Sequence, residues 1–261
     1  RSRRVNSEIV AFAQVCEITI QLLERALSNE VITPGVTTLN DVAWWIKEQR
    51  LARGVDSGLR LPPVFIRYPD GHEIASNEHI IRGGDLVQID GSAGMMNLQT
   101  DIKRIAYVLR EGETTVPPEI QNAFDTALKV REIIRKNIKP GRTGAETLEI
   151  LYSEVEEAGF VRMEVEDQMT DPDNIEVNIG CHAVGNLAHC AGSAIWIERP
   201  WHSQFTIQPT NILALEFNTY VPVPEWRRGK KVYIALEDDV IITENGVECL
   251  YPETDRILLI H

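Results

Sequence analysis

What this chain lacks narrows it before any motif is read. It has no C-x-x-C pair; its four cysteines, Cys16, Cys181, Cys190 and Cys249, are scattered. That excludes a zinc ribbon and a thioredoxin-like motif, and four thiols in 261 residues do not make a disulfide scaffold, so reduced or buried thiols are expected. No apolar run approaches the roughly 18 residues that suggest a membrane span, so no membrane partner is expected. The chain also lacks basic charge: 26 Lys and Arg stand against 39 Asp and Glu, a net charge of -13. Phosphate binding needs a basic surface, so nucleic acid is not the expected partner. Finally, no low-complexity linker interrupts the sequence, and the expectation is a single domain over residues 1–261.

The chain begins Arg1-Ser2-Arg3-Arg4, with neither an initiator methionine nor a signal-peptide pattern. A soluble, cytoplasmic protein is expected, or a periplasmic or secreted one if a leader has been removed. The start leaves room for an upstream segment or N-terminal domain.

What the chain does have is a core and a repeat. With 43% hydrophobic and 25% charged residues it has the composition of an ordinary soluble protein. Ile81-Arg82-Gly83-Gly84-Asp85-Leu86-Val87-Gln88-Ile89-Asp90 is echoed 126 residues later by Ile207-Gln208-Pro209-Thr210-Asn211-Ile212-Leu213-Ala214-Leu215-Glu216. Each runs from an isoleucine through a turn into an apolar strand that ends on a carboxylate. An unpaired buried carboxylate is costly, so two such strands suggest two carboxylates facing one shared site.

The repeat extends upstream. Ile32-Thr33-Pro34-Gly35-Val36-Thr37 and Ile138-Lys139-Pro140-Gly141-Arg142-Thr143 each precede a helical stretch, closing near Gly54 and Gly159 respectively. Pro-Gly marks a turn, nearby threonines can cap the next helix, and the closing glycine can end it. A longer helix precedes each turn. Ile9, Phe12, Cys16, Ile20, Leu23 and Leu27 make one apolar face between Glu8 and Leu27; Ile120, Phe124, Leu128, Val130, Ile133 and Ile134 do so between Pro118 and Ile138. Leu86–Asp90 and Ile105–Leu109 read as strands flanking Gly91-Ser92-Ala93-Gly94. Val232–Leu236 and Val240–Thr243 read as their later counterpart, closed by Glu244-Asn245-Gly246. Trp44, Trp45, Met95 and Met96 are expected to fill the interior or a packing surface. The expected class is α+β, with two similar helix-helix-strand halves.

The chemistry-bearing residues fall on matching elements. Asp90 and Asp101 lie eleven residues apart about a glycine-containing turn, so adjacent antiparallel strands can bring them together. Glu216 and Glu237 sit in apolar strands of the second half. Between these two carboxylate pairs lies Cys181-His182-Ala183-Val184-Gly185-Asn186-Leu187-Ala188-His189-Cys190, two histidines among small residues that leave room for a ligand. Four carboxylates in one pocket would repel or take up protons. Two divalent cations would offset that charge, and an oxygen-rich site with one or two neutral nitrogens suits Mn, Co, Zn or Fe. Paired metals sit about 3.5–4 Å apart and turn a bridging water into hydroxide at neutral pH. By strand alternation Asp239 shares the face of Glu237, while Asp238 points the other way.

These residues resemble the pita-bread metallopeptidase family of methionine aminopeptidases, Xaa-Pro aminopeptidases, prolidases and creatinase, from about Glu8 to Leu250. Asp90 with Thr100-Asp101-Ile102-Lys103-Arg104 resembles its paired-aspartate segment, His182-Ala183-Val184-Gly185 its His-Gly-Ile-Gly stretch, Leu215-Glu216 its Glu-Pro-Gly segment, and Leu236-Glu237-Asp238 its terminal Glu-Asp segment. The resemblance implies the pita-bread fold around a curved antiparallel sheet. It makes Asp90, Asp101, His182, Glu216 and Glu237 ligands of two divalent ions, with Asp101 and Glu237 bridging. It makes Glu216 the proton carrier, His189 the partner of the substrate carbonyl, and His72, in preference to His79, a helper of the leaving group or substrate amine. The implied activity is hydrolysis of short peptides from the amino end by metal-activated hydroxide, of aminopeptidase or Xaa-Pro dipeptidase type, in a homodimer. A metal-dependent amidase of a small non-peptide C–N substrate and a non-catalytic binding module are the alternatives. The sequence departs from the family at Phe217-Asn218 after Glu216, at Ala235 in place of an arginine, at Ser92, and in the loop Pro222 to Lys231, all on the substrate side. Trp201, His202, Tyr220 and Trp226 are candidate pocket-lining groups.

Overall fold

The computed structural model describes residues 3–55, 61–68, 71–73, 76–166, 168–223 and 229–261, with residues 68 and 71–73 described by backbone alone. The first half runs α1 (Asn6–Ala26), α2 (Leu39–Arg53), β1 (Val64–Tyr68), β2 (Gly71–Glu73), β3 (Leu86–Gly91), β4 (Gly94–Met95), β5 (Leu98–Gln99) and β6 (Ile102–Val108). The second runs α3 (Pro118–Asn137), α4 (Gly144–Glu157), β7 (Val161–Arg162), β8 (Glu176–Ala183), β9 (Ala194–Trp196), β10 (Ile212–Pro222), β11 (Lys231–Thr243), β12 (Gly246–Cys249) and β13 (Leu258–Ile260). Each half supplies most of one larger sheet, with β13 crossing back to the first and β4 and β5 forming a separate hairpin. The first has the order β13-β6-β3-β1-β2, the second β12-β11-β10-β8-β7, with β9 beside β8. Pairing is antiparallel except for β13 with β6 and β7 with β8.

The repeat is visible at the level of single hydrogen bonds. Gly35 and Gly141, in the two Pro-Gly turns, both have positive φ, 82° and 96°, which a side chain would resist. The Gly35 amide donates to the Ile81 carbonyl at 2.7 Å, and the Gly141 amide to the Ile207 carbonyl at 2.8 Å. The turn of each half therefore docks on the isoleucine that opens its carboxylate-bearing segment. Thr38 and Thr143 then cap α2 and α4 with reciprocal boxes: Thr38 with Asp41, Thr143 with Glu146. Each cap contributes about 1 kcal/mol to starting its helix in register.

The long helices bury the faces expected of them. Phe12, Cys16, Ile20 and Leu23 of α1 pack with Val42, Ile46 and Ile89, and Phe124, Val130 and Ile134 of α3 pack with Ile179, Leu215 and Ile234. All four cysteines are free thiols. No helix among the described residues is long and apolar enough to cross a membrane.

Three expectations need correction. Val232–Leu236 and Val240–Thr243 are one strand, β11, because the acidic interruption Glu237-Asp238-Asp239 stays in the ladder opposite Glu216, Leu215 and Ala214. Trp44 is 51% exposed because the apolar stripe of α2 is Leu39, Val42, Ala43 and Ile46, and Trp44 lies off it. Met96 is 70% exposed because Met96 and Asn97 form the two-residue tip of the β4–β5 hairpin, with φ of 52° and 61°. Trp45 and Met95 do pack against apolar clusters.

Candidate metal centre

The site forms where β6 meets β11. Three side-chain contacts join them: the Asp101 amide donates to Asp239 Oδ2 at 3.1 Å, Lys103 Nζ to Glu237 Oε2 at 2.7 Å, and Arg104 Nη1 to Asp238 Oδ1 at 2.7 Å. Strand alternation sorts them. Asp101, just before β6, and Lys103 within it lie two residues apart on one side, Glu237 and Asp239 share one face of β11, and Arg104 pairs with Asp238 on the opposite side, as expected. The registers then fix which charges meet. Glu216 lies directly opposite Glu237 in the β10–β11 ladder, and Asp90 directly opposite Lys103 in β3–β6. His182 on β8 faces Ala214, whose small side chain leaves space on the face shared with Glu216.

The structure brings Asp90, Asp101, His182, His189, Glu216 and Glu237 together. Their donor atoms form three overlapping groups, Asp101–His182–His189, His182–Glu216–Glu237 and Asp90–Asp101–Glu237, each with ligand atoms within 4.8 Å of one another. His182 Nε2 is 3.3 Å from Glu216 Oε2, 3.5 Å from Glu237 Oε1 and 3.9 Å from Asp101 Oδ2. Asp101, His182 and Glu237 are buried. Two glutamates opposite each other in a ladder repel, so this geometry requires cations.

One cation is supplied by the chain. Besides Glu237, Lys103 Nζ donates to Glu216 Oε1 and lies 3.6 Å from Asp90 Oδ2. Burial works against the charge of Lys103, but Asp90, Glu216, Glu237 and Asp101 outweigh it and hold its pKa well above the ordinary value. Burial likewise raises Asp101 and Glu237, reinforced at Asp101 by Glu237 and Asp90, and at Glu237 by Glu216. Burial also disfavours the charge of Glu216, yet Lys103 and His182 overcome it and hold this carboxyl below the usual range. His182 is pushed up to about 9: burial opposes its charge, but its contacts with Glu216 and Glu237 prevail.

The donor set fits a divalent metal at the His182 end. Asp101 Oδ2, His182 Nε2 and Glu237 Oε1 are buried and have no hydrogen-bond partner among the described residues. Buried polar atoms rarely go unsatisfied, and Asp101 Oδ2, Glu237 Oε1 and Glu216 Oε2 all lie within 3.9 Å of His182 Nε2. Carboxylate oxygens with one imidazole suit Mn, Co, Zn or Fe.

The sequence assigned no role to four contributors. Lys103 is one. Asp239, buried beside Cys16, orients Asp101 through its amide. Arg199 Nη2 lies 2.5 Å from His189 Nδ1. A guanidinium only donates, so Nδ1 accepts, and neutral His189 carries its proton on Nε2, 3.4 Å from Asp101 Oδ2. Its pKa falls to about 4 through burial, then the charges of His182 and Arg199. Trp196 stands beside both histidines, its ring centroid 6.0 Å from that of His182 and 6.3 Å from that of His189. Strand alternation placed Asp239 on the Glu237 face without giving it a role, and could have found Lys103; Trp196 ends the three-residue β9 and Arg199 follows it, too short a stretch for a periodic signal.

Other candidates lie elsewhere. His72 pairs through its backbone with Arg67, and its side chain lies outside the described residues, as does Trp226. His79 is held by Asp85, 3.1 Å away, five residues before Asp90 and so roughly 16 Å along the strand from it. Tyr220 is fully buried against Tyr233, and Trp201 is 79% exposed. Of the departures after Glu216, Phe217 is buried core, and Asn218 bonds Glu166 and Tyr233 opposite Ala235.

The model of metallopeptidase family M24 matches residues 11–244. The mitochondrial intermediate cleaving peptidase 55 of Arabidopsis thaliana is 27% identical over 188 residues, 67% of this chain and 33% of that protein. The X-Pro aminopeptidase of Thermotoga maritima MSB8 superposes with a TM-score of 0.71 at 20% identity, over 99% of this chain and 64% of that one. The prolidase of Pyrococcus horikoshii OT3 does so at 0.70 and 21% identity, over 99% and 65%. The chain thus spans a third of its sequence relative and under two thirds of these structures, whose likeness confirms the expected fold. Together with the convergent carboxylates and histidines, the family match over most of the chain makes this protein a metallopeptidase of family M24.

Proposed function

We propose that this chain hydrolyses short peptides from the amino end, as an aminopeptidase or Xaa-Pro dipeptidase. The observation behind the reading is that Asp101 Oδ2, Glu216 Oε2 and Glu237 Oε1 all lie within 3.9 Å of His182 Nε2, with three of these four atoms unsatisfied among the described residues. The structural neighbours, an X-Pro aminopeptidase and a prolidase, support the choice of bond.

A divalent ion held by Asp101, His182, Glu216 and Glu237 would bring water to ionisation near neutral pH and polarise the scissile carbonyl. The residues do the rest. Glu216, ionised and partly open to solvent, takes the proton of the attacking water and returns it to the leaving amine. His189, nearly half exposed and with its proton on Nε2, donates to the carbonyl oxygen as negative charge develops there. Arg199 fixes that tautomer. Asp239 holds Asp101 in place, and Arg104 with Asp238 ties β6 to β11 from the far face. His72 is assigned to the substrate amine or leaving group on the resemblance alone.

The test is a hydrolysis screen of Xaa-Pro, Met-Xaa and non-proline di- and tripeptides, with added Mn, Co or Zn and a chelated control. Metal-dependent release of the first residue is expected. Turnover of small amides with no peptide cleaved would overturn the reading.

A further inference from the structure

We propose that Lys103 permanently takes the cation position bounded by Asp90, Glu216 and Glu237, so that the centre holds a single divalent ion at its His182 end. The proposal deepens the metallopeptidase reading and rests on it, replacing the expected pair of ions by one ion and one ammonium.

The geometry divides the site in two. On one side, Lys103 Nζ donates to Glu216 Oε1 and Glu237 Oε2 and lies 3.6 Å from Asp90 Oδ2. On the other, Glu216 Oε2 and Glu237 Oε1 turn toward His182 Nε2, at 3.3 and 3.5 Å. Each glutamate thus gives one oxygen to the ammonium and the other to the His182 side. The satisfaction of the atoms follows the same division. Glu237 Oε2 is hydrogen-bonded by Lys103, whereas Glu237 Oε1, His182 Nε2 and Asp101 Oδ2 have no hydrogen-bond partner among the described residues. A second divalent ion would have to enter where a cation already stands.

Lys103 cannot easily leave. It is placed by register, opposite Asp90 in the middle of a ladder and two residues beyond Asp101 on the same face. It is 7% exposed, with its strand β6 flanked on both sides by β3 and β13. Swinging its ammonium to solvent would leave Glu216 facing Glu237 without a counter-charge, which is unfavourable at such burial. Lysine also suits the place chemically, as a compact point charge with three donors for three surrounding carboxylates. Asp90 thereby becomes a partner of Lys103 rather than a metal ligand.

The test is a Mn(II) titration of chelator-stripped protein, read by elemental analysis and by electron paramagnetic resonance, on wild type, Lys103→Ala and Lys103→Met. Wild type is expected to saturate at about one ion per chain with an uncoupled Mn(II) spectrum, since coupling needs two ions about 3.5–4 Å apart. Lys103→Ala, which clears both charge and volume, is expected to take up about two ions and show the coupled signal. Lys103→Met fills the space without charge and is expected to stay at about one ion. Two coupled ions in wild type would overturn the Lys103 assignment and leave the metallopeptidase reading standing. One ion in folded Lys103→Ala would also overturn the assignment. No ion in any of the three proteins would overturn the metal reading itself.

Discussion

Glu216 and Glu237 face each other across the β10–β11 ladder, and both direct an oxygen at the same imidazole nitrogen of His182. Like charges placed opposite in a sheet destabilise it, so the strand pair is built for a positive occupant rather than for its own stability. Burial and Glu216 already push the Glu237 carboxyl upward, toward its neutral form. Glu237→Gln imitates that form. The metal-free variant is expected to melt within a few degrees of wild type while losing the rise in melting temperature that added Mn gives wild type. Scanning fluorimetry with and without metal reads both.

Asp239 is expected to matter for geometry rather than for contact. Its carboxylate accepts the Asp101 amide at 3.1 Å. Asp239→Ala leaves that buried donor unsatisfied, at a cost of about 1–3 kcal/mol, and metal affinity should fall about tenfold or more, as when a group supporting a ligand is removed. Asp239→Asn keeps an acceptor and should recover most of the affinity. Calorimetric metal titration of the two variants separates these effects.

Strand alternation and the internal repeat made much of this legible in advance. The paired turns at Gly35 and Gly141, the capped helices after them, and the carboxylates at Asp90 and Glu216 follow from local pattern, and the structure keeps them. Alternation also placed Asp238 and Asp239 on opposite faces. Lys103 was equally readable, because it lies two residues from Asp101, yet nothing short of the β3–β6 register shows that it meets Asp90. The continuity of β11 through three acidic residues was not readable either. Charge ordinarily ends an apolar strand, and here partners on β6 keep it in the sheet. Arg199 reaches His189 from a stretch without periodicity, where sequence carries no distance information.

The Arg104–Asp238 pair separates structure from chemistry. Both are buried, and Asp238 also accepts the Thr254 amide at 3.1 Å. Asp238→Ala strands a buried guanidinium and should cost about 3–5 kcal/mol in denaturant unfolding. Because the pair lies on the face away from His182, the folded fraction should bind metal with unchanged stoichiometry.

His189 should separate binding from turnover. His189→Ala removes the donor aimed at the substrate oxygen and should lower kcat about a hundredfold or more, the scale of a lost oxyanion donor, with metal content retained. Arg199→Ala, which frees the tautomer, should lower kcat by a smaller factor. Steady-state kinetics with parallel metal analysis checks both.

Peptide cleavage is expected to need a metal at the site bounded by Asp101, His182, Glu216 and Glu237. The most direct measurement is peptide hydrolysis by chelator-stripped wild type before and after Mn, Co or Zn is restored. Activity at baseline when stripped, and recovered on metal addition by wild type but not by Asp101→Ala, is the expected result. Full activity in the stripped protein, or metal-restored activity in Asp101→Ala equal to wild type, would contradict it.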